Sequence, residues 1–253
     1  MKRKTILGDF ALNLLASLVT TGVAQLLVYP LLSSMYSAEE YGIILTVMGI
    51  TNTGIVTIGG SLNNVRLMVN ADYEAENQRG DFLPILWGLS LVTALLFAAY
   101  LSKFYAFGYA LVAALVLFLI AGILRSYGTV SFRLVINYKV NLICSCAVAV
   151  GNVLGILLLR IPRFEDIWAL PFLLGEVMGV LVILDRSRIL CEPIRKTLFF
   201  KSTCRKEAIL LSTTLSANIL TYLDRLLLLP LLGGEAVAKG ACGSHDNGGR
   251  RLF

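Results

Sequence analysis

The sequence has little charge and almost no histidine, and both shortages exclude classes of function. Charged residues make up 15% of the 253 residues, whereas a soluble domain carries roughly 25%. The one histidine, His245, lies close to the end of the chain, which excludes most histidine-based catalysis and metal chemistry. The five cysteines do not have the spacing of a metal site, and we interpret them as reduced or buried thiols. We therefore expect neither a metal nor a cofactor.

The sequence contains several long apolar runs. Hydrophobic residues make up 57% of the chain, and the mean hydropathy is +0.78. The runs are too long for the strands of a membrane barrel, which alternate over about ten residues. The sequence therefore predicts an all-α, polytopic membrane protein with about seven spans, each near the ~20 residues that a helix needs. The predicted spans are 10–32, 41–62, 82–101, 105–124, 140–159, 167–184 and 208–233.

Basic residues are distributed unequally between the two ends of these spans. Fifteen Lys and Arg fall on the side of the N-terminus and six on the other side. Because basic residues favour the cytoplasmic side, this bias predicts a cytoplasmic N-terminus. The net charge of +6 is explained by these flanking residues, so we expect contact with membrane lipids and no binding of nucleic acid.

The seventh predicted span carries a polar face. An adjacent Asp224 and Arg225 stand in an apolar run, where each costs about 2.5–3.5 kcal/mol on insertion. At 100° per residue, four polar side chains fall within roughly 60° of one another: Thr214, Asn218, Thr221 and Arg225. This face either lines a transport cavity or forms a polar contact between helices.

The first span resembles the seventh. Segment 26–32 matches segment 226–232 at an offset of 200 residues, so that Pro30 aligns with Pro230 and Gln25 with Arg225. Both prolines are expected to bend their helices. Repeated, proline-interrupted spans indicate duplication in secondary transporters. We therefore expect a six-helix lobe over 1–184, a basic cytoplasmic linker over 185–207, and the first helix of a second, parallel repeat over 208–238.

Short motifs predict one helix cap and several close contacts between helices. Ser37 and Glu40 have the spacing of a capping box at the start of the second span. Gly59 and Gly60 permit a bend or a close approach of helices. Two pairs of glycines at a spacing of four predict packing seams in the fifth and sixth spans: Gly151 with Gly155, and Gly175 with Gly179.

Two further charged residues are candidates for function. Glu176 is an intramembrane carboxyl that either pairs with a basic residue, stays protonated, or takes part in proton or ion coupling. Arg66, at the cytoplasmic end of the second span, either meets an anionic head group or extends to the interface. Segment 70–81 is acidic, and we interpret it as a solvated loop without a function.

Several of these motifs occur together in one family. The residues that carry the resemblance are Gln25 with Pro30, the segment 36–42, Gly59-Gly60, Asp224-Arg225 and the segment 231–234. Over about 5–238 the chain resembles the polysaccharide-biosynthesis (O-antigen) flippases of the multidrug/oligosaccharidyl-lipid/polysaccharide exporter superfamily. The resemblance implies two six-helix lobes that move an undecaprenyl-pyrophosphate-linked oligosaccharide across the bacterial cytoplasmic (inner) membrane by alternating access.

That resemblance also implies roles for the polar residues. Arg225 and Arg66 are candidates for binding the diphosphate, because arginine offers it a bidentate fork. Asp224 would either balance Arg225 or lie at the contact between the two lobes. The other candidates for the substrate path are Asn13, Gln25, Thr214, Asn218 and Thr221. No bond is made or broken, so we expect no catalytic residue and no enzyme. A polysaccharide polymerase or another assembly protein is the expected protein partner.

The chain departs from the family near its end. Such flippases have about twelve or more helices, whereas 239–253 is polar and rich in glycine. We expect a truncated member, with 239–253 a frameshift product and the chain inactive alone. An exporter of drugs or lipid precursors is an alternative, as is a structural membrane subunit or an intramembrane enzyme. The enzyme would need paired carboxylates, yet Glu176 and Asp224 are 48 residues apart.

Overall fold

The structure is a computed structural model that describes residues 3–78 and 81–232, with side chains over 8–78 and 81–218. All regular structure within these ranges is helical. The α-helices are α1 Arg3–Val23, α2 Tyr29–Met35, α3 Ala38–Ile55, α4 Ser61–Ala75, α5 Phe82–Phe104, α6 Tyr109–Gly128, α7 Val130–Leu134, α8 Tyr138–Leu159, α9 Leu170–Arg186 and α10 Phe200–Leu232. π-helical turns join α1 to α2 and α3 to α4, and a 3₁₀ turn, Ile189–Cys191, lies between α9 and α10. The predicted all-α class is confirmed for the described residues.

Among the described residues, five helices are long and apolar enough to cross a membrane, judged by length and composition: Gly8–Met35, Ala38–Ala75, Phe82–Phe104, Tyr109–Leu134 and Tyr138–Leu159. They correspond to the first five predicted spans. The sixth predicted span falls on α9, which is 17 residues long, and the seventh falls on α10 as far as Leu232. A multi-pass membrane protein is therefore the class that the fold supports.

Pro30 explains the first irregularity of the backbone. Proline has no N–H and its ring clashes with the carbonyl four residues earlier, so a continuous α-helix cannot pass through it unchanged. The helix widens into the π-helical turn Ala24–Val28, in which the Tyr29 N–H donates to the carbonyl of Ala24. Such turns are frequent at functional sites. The turn changes the direction in which Gln25 and its neighbours are presented.

Glycines explain the second irregularity. The π-helical turn Val56–Gly60 joins α3 to α4, where the Gly59-Gly60 pair predicts a bend or a close approach. A Cβ atom on Gly59 would lie 2.6 Å from the Cβ of Ser126 in α6. Gly122, also in α6, would place a Cβ 2.3 Å from Ile55. At Gly59 the added Cβ would also lie 2.8 Å from the backbone carbonyl of Ile123, so the second π-helical turn and α6 are in close backbone contact. At Gly122 the neighbour is the flexible end of the Ile55 side chain.

The two predicted glycine seams face each other. A Cβ on Gly155 of α8 would lie 2.3 Å from the Cα of Pro171, and one on Gly151 would lie 2.5 Å from the carbonyl of Leu174, both in α9. From the other side, a Cβ on Gly175 would lie 2.0 Å from Oδ1 of Asn152. The prediction of small-residue packing is confirmed here, and α8 and α9 form a tightly packed pair.

The capping box at the start of α3 is also confirmed. The Glu40 N–H donates to Oγ of Ser37 at 3.3 Å, and the Ser37 N–H donates to Oε2 of Glu40 at 2.9 Å. Two of the backbone donors that a helix N-terminus leaves unpaired are thereby satisfied. The box fixes the tight connection between the first two spans.

The interpretation of 70–81 as a solvated loop is right about solvent over most of 71–77, which is exposed, but wrong about the helix and about Asp81. Helix α4 continues to Ala75, and Asp81 is completely buried, with 0% of its surface exposed. Its carboxylate accepts hydrogen bonds from the Tyr73 hydroxyl and from the Thr197 N–H, both at 2.6 Å. Because a buried carboxylate requires donors, Asp81 binds the connector that precedes α10 to the end of α4.

Candidate functional site

A polar cavity of about 220 Å³ lies among α1, α3, α6, α8, α9 and the first π-helical turn. Its polar lining consists of Thr20, Thr21, Gln25, Asn52, Arg125, Asn152 and Glu176. Its apolar lining consists of Ala24, Tyr29, Met48, Phe118, Val148 and Phe172. All five of the helices named belong to the predicted six-helix lobe. We refer to this space as the lobe cavity.

A paired charge forms one wall of the lobe cavity. The Arg125 guanidinium of α6 donates to both carboxylate oxygens of Glu176 in α9: Nη2 to Oε1 at 2.9 Å, and Nε to Oε2. Their side chains are 22% and 11% exposed. The geometry is the bidentate fork that arginine forms with carboxylates and phosphates. Of the three alternatives for Glu176, the structure shows pairing with a basic residue.

Glycine in α9 makes this pairing possible. A Cβ on Gly179 would lie 2.4 Å from Cδ of Arg125, so the arginine side chain crosses α9 where a side chain is missing. The carbonyl of the same glycine accepts a hydrogen bond from the Cys144 thiol at 3.5 Å. The seam glycines therefore both pack α8 against α9 and admit the arginine that neutralises Glu176.

Gln25 is the predicted substrate-path residue that reaches the lobe cavity. It lies in the π-helical turn that precedes Pro30. The side chain of the next residue, Leu26, is 82% exposed on the outer surface of the lobe. Asn13, about two turns before the cavity, does not line it and accepts a hydrogen bond from Asn141 Nδ2 at 3.2 Å. Of these two polar residues of the first span, Asn13 therefore forms a contact between helices and Gln25 lines the cavity.

Arg66 lies at a different place, near one end of the helices. Its guanidinium is buried and forms a bidentate ion pair with Glu192 of the connector, with Nη2 to Oε1 at 2.9 Å and Nη1 to Oε2 at 3.2 Å. It also lies over the Phe82 ring, 4.6 Å from the ring centroid. Both residues of the ion pair line a second cavity of about 480 Å³ between α4, α7 and the connector. The positive charge of Arg66 is therefore compensated by Glu192.

The described part of α10 lies outside the lobe cavity. Thr214 is half-buried, and Asn218 Nδ2 donates to Oγ1 of Thr57 at 2.9 Å. The contact of Asn218 is of the helix–helix kind that was one of the two interpretations of this polar face. The side chains of Thr221, Asp224, Arg225 and Pro230 lie outside the described residues, as does the segment 239–253.

Sequence reasoning did not select several residues of the lobe cavity. Arg125 was counted among the basic residues that flank a span, because nothing in the sequence connects it to Glu176, 51 residues later. Asn152 gave a usable signal, since it is an amide between two glycines of an apolar helix. Among the described residues, no group of three or more His, Cys, Asp or Glu is placed to hold a metal ion.

Comparison of the chain with protein-family models, with curated proteins and with solved structures gave no match.

Proposed function

We propose that the described helices form a transport lobe of a flippase for an undecaprenyl-pyrophosphate-linked oligosaccharide. On this proposal the lobe has the six predicted spans, the seventh span begins at 208 within α10, and the N-terminus is on the cytoplasmic side of a bacterial inner membrane. The observation that carries the proposal is the lobe cavity, which brings seven polar side chains and six apolar residues together among apolar helices. Polar side chains inside membrane helices are costly, and they normally mark the path of a substrate or an ion.

The backbone at the cavity supports the same proposal. Irregular backbone is tolerated at membrane depth where it lines a cavity or is buried in protein. The π-helical turn Ala24–Val28 meets this condition, because Ala24 and Gln25 both line the lobe cavity. Interrupted helices with binding groups near the middle of the membrane are typical of secondary transporters.

The chemistry of the lining suits a phosphorylated sugar. The amides of Gln25, Asn52 and Asn152 can donate to and accept from sugar hydroxyls. The Arg125 fork has the geometry that binds phosphate oxygens as well as carboxylates. We propose that Glu176 occupies this fork when no cargo is present, so that the arginine charge is never left uncompensated in the membrane. The lipid tail of the cargo would stay in the bilayer.

Ligand retention in lipid nanodiscs tests this proposal. We expect the purified chain to retain undecaprenyl-pyrophosphate-linked oligosaccharide in preference to phosphatidylglycerol, measured by native mass spectrometry. Replacing Gln25 with leucine is expected to lower that retention roughly two- to tenfold, because a hydrogen bond to the cargo contributes about 0.5–1.5 kcal/mol. The matched control is Leu26→Ala on the outer surface, which should leave retention unchanged. Equal retention of the two lipids, or full retention by Gln25→Leu, would contradict the proposal.

A further inference from the structure

Glu207 is a buried carboxyl that plays no part in the lobe cavity. It lies near the start of α10, immediately before the predicted span 208–233, and only 3% of its surface is exposed. One carboxyl oxygen, Oε1, is hydrogen-bonded to Oγ of Ser61 at the start of α4. The other, Oε2, is buried and has no hydrogen-bond partner among the described residues. An ionised carboxylate can only accept hydrogen bonds and needs donors at both oxygens. In this position it would have a donor at one oxygen only.

The hydrogen bonds of the Ser61 hydroxyl favour the protonated, neutral form of Glu207. Its hydroxyl has one proton and two acceptors within reach: the carbonyl of Ile58 at 3.1 Å, and Glu207. A protonated Glu207 can donate to Oγ of Ser61, which leaves the hydroxyl proton for Ile58. An ionised Glu207 can only accept, so the Ser61 hydroxyl must donate to the carboxylate and the carbonyl of Ile58 loses its hydrogen bond. The protonated form therefore satisfies one more hydrogen bond than the ionised form.

The charges around Glu207 do not oppose this conclusion. The second π-helical turn and the start of α4 present Ile58 and Ser61, which are uncharged. On α10, Arg205 and Lys206 precede Glu207 directly and are exposed. The Cys204 thiol also interacts with Glu207, and the other charges that act on that thiol are Asp81 and Lys196. Within the described ranges no basic side chain forms an ion pair with Glu207. Burial raises the pKa of Glu207 to about 7, and the Ser61 hydrogen bond lowers it only in part.

Two uncharged contacts flank Glu207 along the same face of α10. One turn earlier, Thr203 Oγ1 lies 2.7 Å from the Tyr73 hydroxyl, which is itself bound to Asp81. Eleven residues later, Asn218 donates to Thr57 in the π-helical turn. Spacings of four and eleven residues place the three side chains within a narrow angular range on a helix. Glu207 is thus the titratable member of this contact, which we call the α10 seam.

We propose that protonation of Glu207 controls the packing of α10 against α4 and the π-helical turn Val56–Gly60. With the proton bound, Glu207 donates to Ser61 and no charge is buried, so the helix is held in place. Without it, a charge is buried next to one hydroxyl, and the segment of α10 beyond Thr203 moves away so that the carboxylate can reach water. This inference concerns helix packing and does not depend on the proposed cargo.

The direction of the pH dependence follows from the raised pKa. The pKa of Glu207 in the packed state is about 7, against an ordinary value of 4.5. Packing of α10 is therefore fully stabilised below a pH of about 4.5 and loses that stabilisation as the pH rises to about 7. Above this range the ionised form predominates in both arrangements, and no further change is expected.

Distances between spin labels test the proposal. The labels are placed on Leu215 of α10 and Leu91 of α5, both exposed, in a full-length chain whose native cysteines are replaced. We expect a single narrow distance distribution at pH 5 that becomes longer and broader at pH 8. The variant Glu207→Gln, which cannot ionise, should keep the narrow distribution at both pH values. The control Asp72→Asn removes an exposed carboxyl of α4 and should keep the wild-type response.

Three results would overturn the proposal: distances independent of pH in the wild type, a pH response retained by Glu207→Gln, or a response lost in Asp72→Asn. A second measurement uses the unlabelled wild type, so it does not depend on whether any variant folds. Infrared difference spectra of the wild type should show a protonated carboxyl that titrates at a pH of about 7. The absence of such a carboxyl above pH 6 would also overturn the proposal.

Discussion

Replacing Glu176 with alanine is expected to lower the free energy of unfolding by about 3–5 kcal/mol, because it leaves a buried charge without its partner. Arg125 donates to both oxygens of this carboxylate, and the pair is mostly shielded from solvent. The measurement is equilibrium unfolding in mixed detergent and lipid micelles. The double variant Arg125→Met with Glu176→Met should recover most of the loss, since apolar residues of similar size often replace a buried ion pair without cost.

The matched control for this experiment is the exposed ion pair of Arg186 and Asp185. Its side chains are 57% and 72% exposed, so Asp185→Asn should change the free energy of unfolding by no more than about 0.5 kcal/mol. If Glu176→Ala were as mild as this control, the ion pair would not be a structural element of the lobe cavity.

Replacing Gly155 with alanine is expected to lower the free energy of unfolding by about 1–3 kcal/mol, the usual cost of overpacking. The added Cβ would lie 2.3 Å from the Cα of Pro171, and a backbone atom cannot give way as a flexible side chain can. Helices α8 and α9 would have to separate. The measurement is the same micellar unfolding experiment, with retention of lipid-linked oligosaccharide as a second readout.

Gly88 provides the control for the glycine experiment. A Cβ at this position of α5 meets nothing within 4 Å, so Gly88→Ala should leave stability unchanged or raise it by up to about 1 kcal/mol through helix propensity. Equal effects of the two substitutions would show that the α8–α9 seam does not require glycine.

Local patterns in the sequence predicted local structure well. The capping box of Ser37 with Glu40 is determined by four consecutive residues, and it is present as expected. The seams of Gly151 with Gly155 and Gly175 with Gly179 follow from helical spacing alone. These features could be predicted because they depend on neighbours along one helix, whose periodicity is known in advance.

Partners from distant parts of the chain could not be predicted in this way. The ion pair of Arg66 with Glu192 joins residues 126 positions apart, and that of Arg125 with Glu176 joins residues on two helices whose relative rotation the sequence does not specify. Asp81 was misinterpreted because an acidic segment usually indicates solvent, whereas here its carboxylate binds Thr197 and Tyr73. The sequence indicated which residues are unusual, and the packing of the helices determined their partners.

The most direct test of the account is whether water reaches the lobe cavity. In a chain without native cysteines, Gln25→Cys and Leu26→Cys place a thiol on adjacent residues, one lining the cavity and one on the outer surface. A charged, membrane-impermeant thiol reagent should label the first at least roughly tenfold faster, because the reactive thiolate forms only where the thiol is hydrated. Labelling of both positions at the same slow rate would show that the cavity is sealed and would contradict the proposed transport path.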